Sequence, residues 1–95
     1  MIVNTPLNPA CTVACAGDLD ALAELLRARP ILLLADEVYE HVIFDGRRHE
    51  SALAHAELRA KSFVVYSFGK TLHATGWRTG YCVAPPALTA GLRKV

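Results

Sequence analysis

The sequence predicts an α/β fold in which helices flank a mostly parallel sheet. Two runs, "ILLLA" and "FVVY", are apolar on both faces, as strands buried between helix layers must be. A helical pattern precedes the first run, and further strand and helix patterns surround the second. Strands that alternate with helices in this way are typical of the α/β class.

The first third of the chain predicts a strand, a helix and a second strand. "MIVNT" predicts a strand that Pro6 ends, and "PLNPA" predicts a turn. "GDLDALAELLRARP" gives the clearest helix, with Asp18 expected to cap its start and Pro30 to end it. The leucines at positions 19, 22, 25 and 26 share one face of this helix. "ILLLADE" predicts the second strand.

The rest of the chain predicts two more strands and two more helices. A turn is expected at Asp45-Gly46, and "ALAHAELRA" favours a short helix. "SFVVYS" predicts the third strand, "GKTLHATGWR" a loop, "GYCVAPP" a fourth strand and "ALTAGLRKV" a final helix. Trp77 in the loop is expected to pack against the protein.

The composition is globular and narrows the possible partners. Of 95 residues, 53% are hydrophobic and 20% are charged, with a formal net charge of +1. That balance gives no electrostatic reason to expect nucleic acid or an anionic membrane as a partner. The longest apolar runs are about five residues, whereas a membrane-spanning helix needs about 20. A small domain buries only about 60% of the surface that its unfolded chain exposes. The high proportion of apolar residues therefore favours a fragment of a larger domain.

The cysteines and histidines predict neither disulfides nor a metal site. The three cysteines, at positions 11, 15 and 82, are odd in number and lack a zinc spacing. They are interpreted as reduced core or loop residues of a cytoplasmic protein. The four histidines, at positions 41, 49, 55 and 73, show no ligand spacing and are interpreted as surface or structural residues.

Polar residues follow the predicted strands at the points where ligands of α/β proteins bind. Asn8 follows the first strand, Asp36 ends the second, and Ser67 and Lys70 follow the third. Because such ligands bind beyond the carboxyl ends of the strands, these side chains are expected along one edge of the sheet. A carboxylate directly after "ILLLA" is costly unless a cation or a hydrogen-bond donor meets it.

Lys70 has three interpretations. A nucleotide P-loop fits Gly69-Lys70-Thr71, but Val64 occupies the position of the first glycine in that motif. A solvated surface lysine is the second interpretation. The third is a lysine whose amine attacks a carbonyl and forms a Schiff base.

A phosphate-bearing aldehyde unites the residues around Lys70. Ser67 and Arg78 would hold its phosphate, the arginine by a bidentate grip. Asp36 would keep a pyridine nitrogen protonated, so that the ring withdraws electrons. These residues together favour pyridoxal phosphate as the cofactor.

Four motifs carry a resemblance to a known family. "NTPLNP", "ADEVYEH", "SFGKT" and "GWRTGY" are similar, in order and spacing, to motifs of the fold-type I, pyridoxal-phosphate-dependent aminotransferases of class I/II. The kynurenine and methionine aminotransferase branch is nearer than the aspartate branch. The resemblance implies that residues 1–95 are part of the large, cofactor-binding domain, with N- and C-terminal parts missing. The family usually reads Asn-Pro-Thr-Gly where this chain has Asn8-Pro9-Ala10-Cys11.

The resemblance also implies a role for each candidate residue. Lys70 is implied to be catalytic, carrying the cofactor and moving a proton between it and the α-carbon of the substrate. The residues implied to bind the cofactor are Asp36 at the pyridine nitrogen, Asn8 and Tyr39 at the ring 3′-oxygen, and Ser67 and Arg78 at the phosphate.

The implied reaction is amino-group transfer between an amino acid and a 2-oxo acid by a cytoplasmic homodimer. A carbon–sulfur β-lyase on the same fold and a non-catalytic truncated product stay open as alternatives. In the family, the aromatic that stacks on the cofactor and the arginine that grips the substrate carboxylate lie outside this segment. The 95-residue chain alone is therefore expected to lack useful transaminase activity.

Overall fold

A four-stranded sheet organises the chain. The structure is a computed structural model that describes residues 1–94, so Val95, the last residue of the predicted final helix, lies outside the described residues. The strands are β1 (Ile2–Asn4), β2 (Leu33–Asp36), β3 (Ser62–Ser67) and β4 (Gly80–Val83), adjacent in that order. The first three strands are parallel and β4 is antiparallel to β3, which confirms the predicted mostly parallel α/β sheet.

Within residues 1–94, three helices and two 3₁₀ turns lie between the strands, and a fourth helix follows β4. The helices are α1 (Ala16–Arg27), α2 (Ala56–Lys61), α3 (Phe68–Thr71) and α4 (Pro86–Leu92), and the 3₁₀ turns are Ala52–Ala54 and Thr75–Trp77. The turn predicted at Asp45-Gly46 is present, with φ of +58° and +68° at the two residues. Within residues 1–94, no helix has both the length and the apolar character that crossing a membrane requires.

Both ends of α1 are held by side chains. Asp18 was expected to precede the helix, but Cys15 is the N-cap residue and Asp18 lies in the first turn, where its carboxylate accepts a hydrogen bond from the Cys15 amide at 2.8 Å. At the other end the Lys61 ammonium donates to the carbonyls of Leu26, Arg27 and Arg29 at 2.6, 3.1 and 3.0 Å. A cation there also complements the helix dipole.

The buried core lies on one face of the sheet, where α1 and α2 pack. Its members are Leu19, Ala23, Leu26, Leu33, Ala35, Ala52, Leu58 and Val64. The second strand is shorter than the apolar run that predicted it. Ile31 and Leu32 precede it and are 38% and 47% exposed.

The strand register assigns side chains to the two faces. Asn4, Asp36 and Val65 are lateral neighbours in adjacent strands. Since side chains alternate along a strand, Ser67 shares their face, which is opposite the core. The amide of Glu37 donates to the Val65 carbonyl at 3.0 Å, which extends the β2–β3 pairing past the end of β2 and turns the Glu37 side chain to the core face.

The predicted loop after β3 contains helical turns. The amide of Leu72 donates to the Phe68 carbonyl at 2.8 Å, which closes α3. The Thr75 hydroxyl donates to the Gly69 carbonyl at 3.1 Å and ties the second turn to the first. A Cβ at Gly69 would lie 3.0 Å from Thr75 Cα, so the two turns are this close because position 69 is glycine.

Candidate active site

Asn8 and Tyr39 meet at the carboxyl edge of the sheet. The Asn8 side-chain amide donates to the Tyr39 hydroxyl at 2.9 Å. Asn8 lies in the loop after β1, where the Asn8-Pro9 peptide is cis, and Tyr39 lies in the turn after β2. Loops from two neighbouring strands are therefore joined by one side-chain hydrogen bond.

Asp36 stands at the end of β2 on the face away from the core. Its carboxylate accepts a hydrogen bond from the Val38 amide at 3.3 Å. Its backbone carbonyl accepts from the Asn4 side chain and from the Thr5 amide, each at 3.0 Å. The backbone that presents the Asp36 carboxylate is thus fixed from the neighbouring strand, and the side chain stays half-buried beside Tyr39's turn.

Lys70 comes to the same place from β3. It lies in α3, three residues beyond the strand, and its ammonium nitrogen is 5.3 Å from the centroid of the Tyr39 ring. A cation at that distance over an aromatic ring is attracted by the negative face of the ring. Three separate segments therefore bring Asn8, Tyr39 and Lys70 together.

Ser67, Lys70 and Arg78 line one cavity of about 220 Å³. Gly69 and Gly80 also line it, and Gly80 is required by its surroundings. A Cβ at position 80 would lie 2.3 Å from the Tyr66 carbonyl oxygen, where no side chain fits. The cavity combines a hydroxyl, two cationic side chains and closely approachable backbone, which is a donor set suited to a phosphate.

Arg78 adopts an uncommon backbone conformation. Its φ is +51° and its ψ is +37°, in the left-handed region that favours glycine. Because a non-glycine residue pays a steric cost there, the observation points to a use for the arginine side chain.

The loop at Asn8 keeps its turn although the family's glycine is replaced. Cys11 occupies that position with φ of +56°, and its amide donates to the Leu7 carbonyl at 2.7 Å. The left-handed conformation that glycine adopts easily is therefore present in this chain with a cysteine.

A larger, mainly apolar cavity adjoins the Asn8–Tyr39 pair. It measures about 290 Å³, and its apolar lining includes Leu7, Val42 and Phe44. Asn8 and Tyr39 form part of its wall, so this pair separates an apolar space from the polar edge of the sheet.

Two features near the site escaped the sequence reasoning. Glu37 is 1% exposed and holds a hydrogen-bond network on the core face. In the sequence, Glu37 is recognisable only as a second acidic residue directly after Asp36. The sequence pattern does not indicate which residues would form hydrogen bonds with it. Trp77 was expected to pack, but it is 81% exposed among the described residues.

The chain belongs to the aminotransferase class I and II family, whose model matches residues 1–95. The methionine aminotransferase of Escherichia coli is 48% identical over 95 residues, which are all of this chain and 25% of that protein. Human kynurenine–oxoglutarate transaminase 1 is 32% identical over 95 residues, all of this chain and 22% of that protein.

A solved structure agrees with these sequence matches. The crystal structure of YbdL from Escherichia coli, described as having a methionine aminotransferase function, superimposes with a TM-score of 0.95 at 49% identity. The superposition covers 99% of this chain and 25% of YbdL. The chain thus spans about a quarter of the length of the curated relatives that it matches.

Proposed function

We propose that the protein carrying this segment is a pyridoxal-phosphate-dependent aminotransferase that moves an amino group from an amino acid to a 2-oxo acid. The observation that carries the proposal is the convergence of Asn8, Tyr39 and Lys70 beyond the strand ends that present Asp36 and Ser67. A lysine, a carboxylate and phosphate-binding groups within reach of one ring are the set that this cofactor needs.

The donors present fit the two ends of pyridoxal phosphate. Asp36, on the face away from the core, would pair with the protonated pyridine nitrogen. Ser67 and Arg78, which share a cavity with Lys70, would hold the phosphate. Gly69 and Gly80 also line that cavity, and because they have no side chain their backbone can come close to a bound phosphate.

Asn8 and Tyr39 would hold the ring 3′-oxygen between these ends. The Asn8 amide already donates to the Tyr39 hydroxyl, which leaves the hydroxyl hydrogen of Tyr39 available for donation to an oxygen of the cofactor. The Asn8 amide has a second N–H for the same purpose. The pair is thereby oriented before any ligand arrives.

Lys70 would be the group that moves protons. When bound, pyridoxal phosphate supplies an aldehyde that condenses with amines and a ring that withdraws electrons from the α-carbon of the substrate. The Lys70 amine would take the proton from that α-carbon and deliver it to the C4′ carbon of the cofactor, and the second half of the reaction would run the same transfer in reverse. The Tyr39 ring, 5.3 Å from the Lys70 nitrogen, would limit the directions in which the lysine can reach.

The test is amino-group transfer by the natural-length protein supplied with pyridoxal phosphate. We expect the protein to convert an amino acid and a 2-oxo acid into the paired products, and Lys70→Ala to abolish conversion. Lys94→Ala, beyond the end of α4, is the matched control and should leave conversion unchanged. Full activity of Lys70→Ala would contradict the proposal.

The same assay separates transamination from β-elimination. A carbon–sulfur β-lyase would convert a cysteine-type substrate and water into a thiol, pyruvate and ammonia, and it would need no 2-oxo acid acceptor. We expect product formation to require the 2-oxo acid acceptor. Substrate, acceptor and the homodimer implied by the family are parts of this proposal, and light scattering of the natural-length protein tests the homodimer.

A further inference from the structure

Glu37 holds a buried network directly behind the candidate cofactor site. Its side chain is 1% exposed, and its carboxylate accepts hydrogen bonds from the Ala52 amide at 2.8 Å, the Tyr66 hydroxyl at 2.8 Å and His49 Nε2 at 2.9 Å. The Ser51 hydroxyl lies 3.2 Å from the same Tyr66 oxygen. The carboxylate is therefore fully engaged by groups on a loop and on β3.

The charge state of Glu37 sets the direction of these bonds. Burial by itself raises the pKa of Glu37, but the hydrogen bonds from His49, Ser51, Ala52 and Tyr66 together outweigh burial and lower the pKa below its usual 4.5. The pKa of Tyr66 is raised, mainly because its hydroxyl is buried and also because that hydroxyl is hydrogen-bonded to the Glu37 carboxylate. Because an ionised carboxylate only accepts, Tyr66 Oη and His49 Nε2 must both be donors.

Each end of the Glu37–Tyr66 bond adjoins a candidate cofactor ligand. Asp36 precedes Glu37 at the end of β2, and Ser67 follows Tyr66 at the end of β3. Strand alternation places Asp36 and Ser67 on one face of the sheet and Glu37 and Tyr66 on the other. The bond on the core face therefore links the two strand ends whose opposite face presents Asp36 and Ser67, in addition to the backbone pairing of β2 with β3.

We propose that Glu37 is a positioning residue, which through Tyr66 fixes the Asp36 anchor relative to the Ser67 anchor. The inference rests on the proposed function, because these anchors would hold the nitrogen end and the phosphate end of one rigid ring. A rigid ligand held at both ends binds well only if the anchors keep their spacing to a few tenths of an ångström. An apolar side chain could fill the volume of Glu37, but it would not tie β3 and the loop to the end of β2.

If Glu37 positions the anchors, changes at Glu37 should alter cofactor affinity, which a residue that only packs in the core would not do. Glu37 lines neither cavity at the site, whereas its hydrogen-bond partner Tyr66 lines the cavity of about 220 Å³, so a change at Glu37 reaches the cofactor through Tyr66 and through the backbone of its neighbours. Loss of the Tyr66 hydroxyl removes the same link from the other end. If both changes act through one link, their effects on affinity will not add.

The test uses apoprotein of natural length, titrated with pyridoxal phosphate well below its melting temperature. The variants are Glu37→Gln, Tyr66→Phe and the double variant, and Tyr81→Phe is the matched control. The Tyr81 ring stacks on that of Tyr66 with centroids 4.9 Å apart, without lying in the Glu37 network. The readouts are the dissociation constant, the pH midpoint of the absorbance of the bound cofactor, and the melting temperature of the apoprotein.

We expect each single variant to weaken binding roughly tenfold, which corresponds to about 1.4 kcal/mol, and to move the pH midpoint. The double variant should be no weaker than the weaker single variant, and Tyr81→Phe should match the wild type. Lower melting temperatures with unchanged affinity and unchanged midpoint would overturn the inference and leave Glu37 as a core residue only.

The same titration separates this inference from the proposed function. A wild-type protein that fails to bind the cofactor would overturn both. A wild-type protein that binds, together with variants that bind equally well, would overturn the positioning role alone. If Glu37→Gln does not fold, the cofactor affinity of Tyr66→Phe, which lacks only one oxygen atom, is compared with that of the wild type instead.

Discussion

The side-chain amide nitrogen of Asn8 lies 2.9 Å from the hydroxyl oxygen of Tyr39, across a sequence separation of 31 residues. This bond joins the loop after β1 to the turn after β2, and the ring of Tyr39 in turn lies 5.3 Å from the ammonium of Lys70, measured to the ring centroid. Side chains from three separate segments therefore meet at one edge of the sheet.

Asn8 and Tyr39 are predicted to act as a unit on the cofactor. Tyr39→Phe removes the acceptor for the Asn8 amide and the proposed donor to the ring 3′-oxygen, and we expect about a tenfold loss of pyridoxal phosphate affinity, or roughly 1.4 kcal/mol. Asn8→Ala should cost a similar amount. In the double variant the losses should be clearly less than additive, because both changes break one unit. Independent, additive losses in an absorbance titration would count against this coupling.

Glu37 is predicted to make stability depend on pH in the acid range. Its pKa in the folded state lies below the usual 4.5, because the hydrogen bonds from His49, Ser51, Ala52 and Tyr66 together outweigh burial. The unfolded state therefore binds more protons in this range, so the contribution is present above about pH 4.5 and is lost as the pH falls through the folded-state pKa. Urea unfolding should show Glu37→Gln less stable than wild type at pH 7, by about 2 kcal/mol, because buried hydrogen bonds to an ionised acceptor are weakened.

The difference between wild type and Glu37→Gln should shrink steadily between pH 5 and pH 3. Glu24→Gln is the control, since Glu24 is an exposed carboxylate, 69% accessible, that pairs with Arg27. It should change stability by less than about 1 kcal/mol at either pH. A Glu37→Gln penalty that does not vary with pH would mean that the carboxylate is not the ionised acceptor of this network.

Gly80 is predicted to tolerate no side chain. A Cβ there would lie 2.3 Å from the Tyr66 carbonyl oxygen, so Gly80→Ala must separate β4 from β3 and should cost about 2 kcal/mol in urea unfolding. Gly76→Ala is the matched control, because nothing lies within 4 Å of its added carbon. We expect that variant to stay within about 0.5 kcal/mol of wild type. Equal stabilities for the two variants would refute the steric argument.

Lys61 is predicted to stabilise α1 from outside the helix. Its ammonium donates to three carbonyls at the end of α1, so Lys61→Met should lower the free energy of unfolding by about 1–2 kcal/mol while it retains the apolar stem. Lys94→Met, beyond the end of α4, should have no measurable effect. Thermal unfolding of the two variants side by side decides the point, and an unchanged melting temperature for Lys61→Met would contradict the role.

The strands and turns that depend only on the local sequence pattern could be predicted. "SFVVYS" became β3 at Ser62–Ser67, and the turn at Asp45-Gly46 formed as expected. The helical turns after β3 were missed because they depend on the close contact of Gly69 with Thr75, which no periodicity reveals. Lys70 and its neighbours were identifiable because strand ends of a parallel sheet share one edge.

The Glu37 network could not be predicted for a related reason. A glutamate after a buried strand looks like a second polar residue at the edge of the sheet. Its burial depends on His49 and Tyr66, which only the three-dimensional fold brings to it. The exposure of Trp77 likewise depends on which surfaces the chain leaves uncovered, and aromatic size alone favoured the wrong expectation.

Reductive trapping of the cofactor tests the central claim most directly. Lysines occur at positions 61, 70 and 94, and the Lys61 ammonium is already engaged by three carbonyls. The protein is incubated with pyridoxal phosphate, reduced with borohydride, digested and mapped by mass spectrometry. We predict that the phosphopyridoxyl group is found on Lys70, that inorganic phosphate competes with the labelling, and that Lys70→Ala eliminates it. Equal labelling of Lys61, Lys70 and Lys94 would contradict the account.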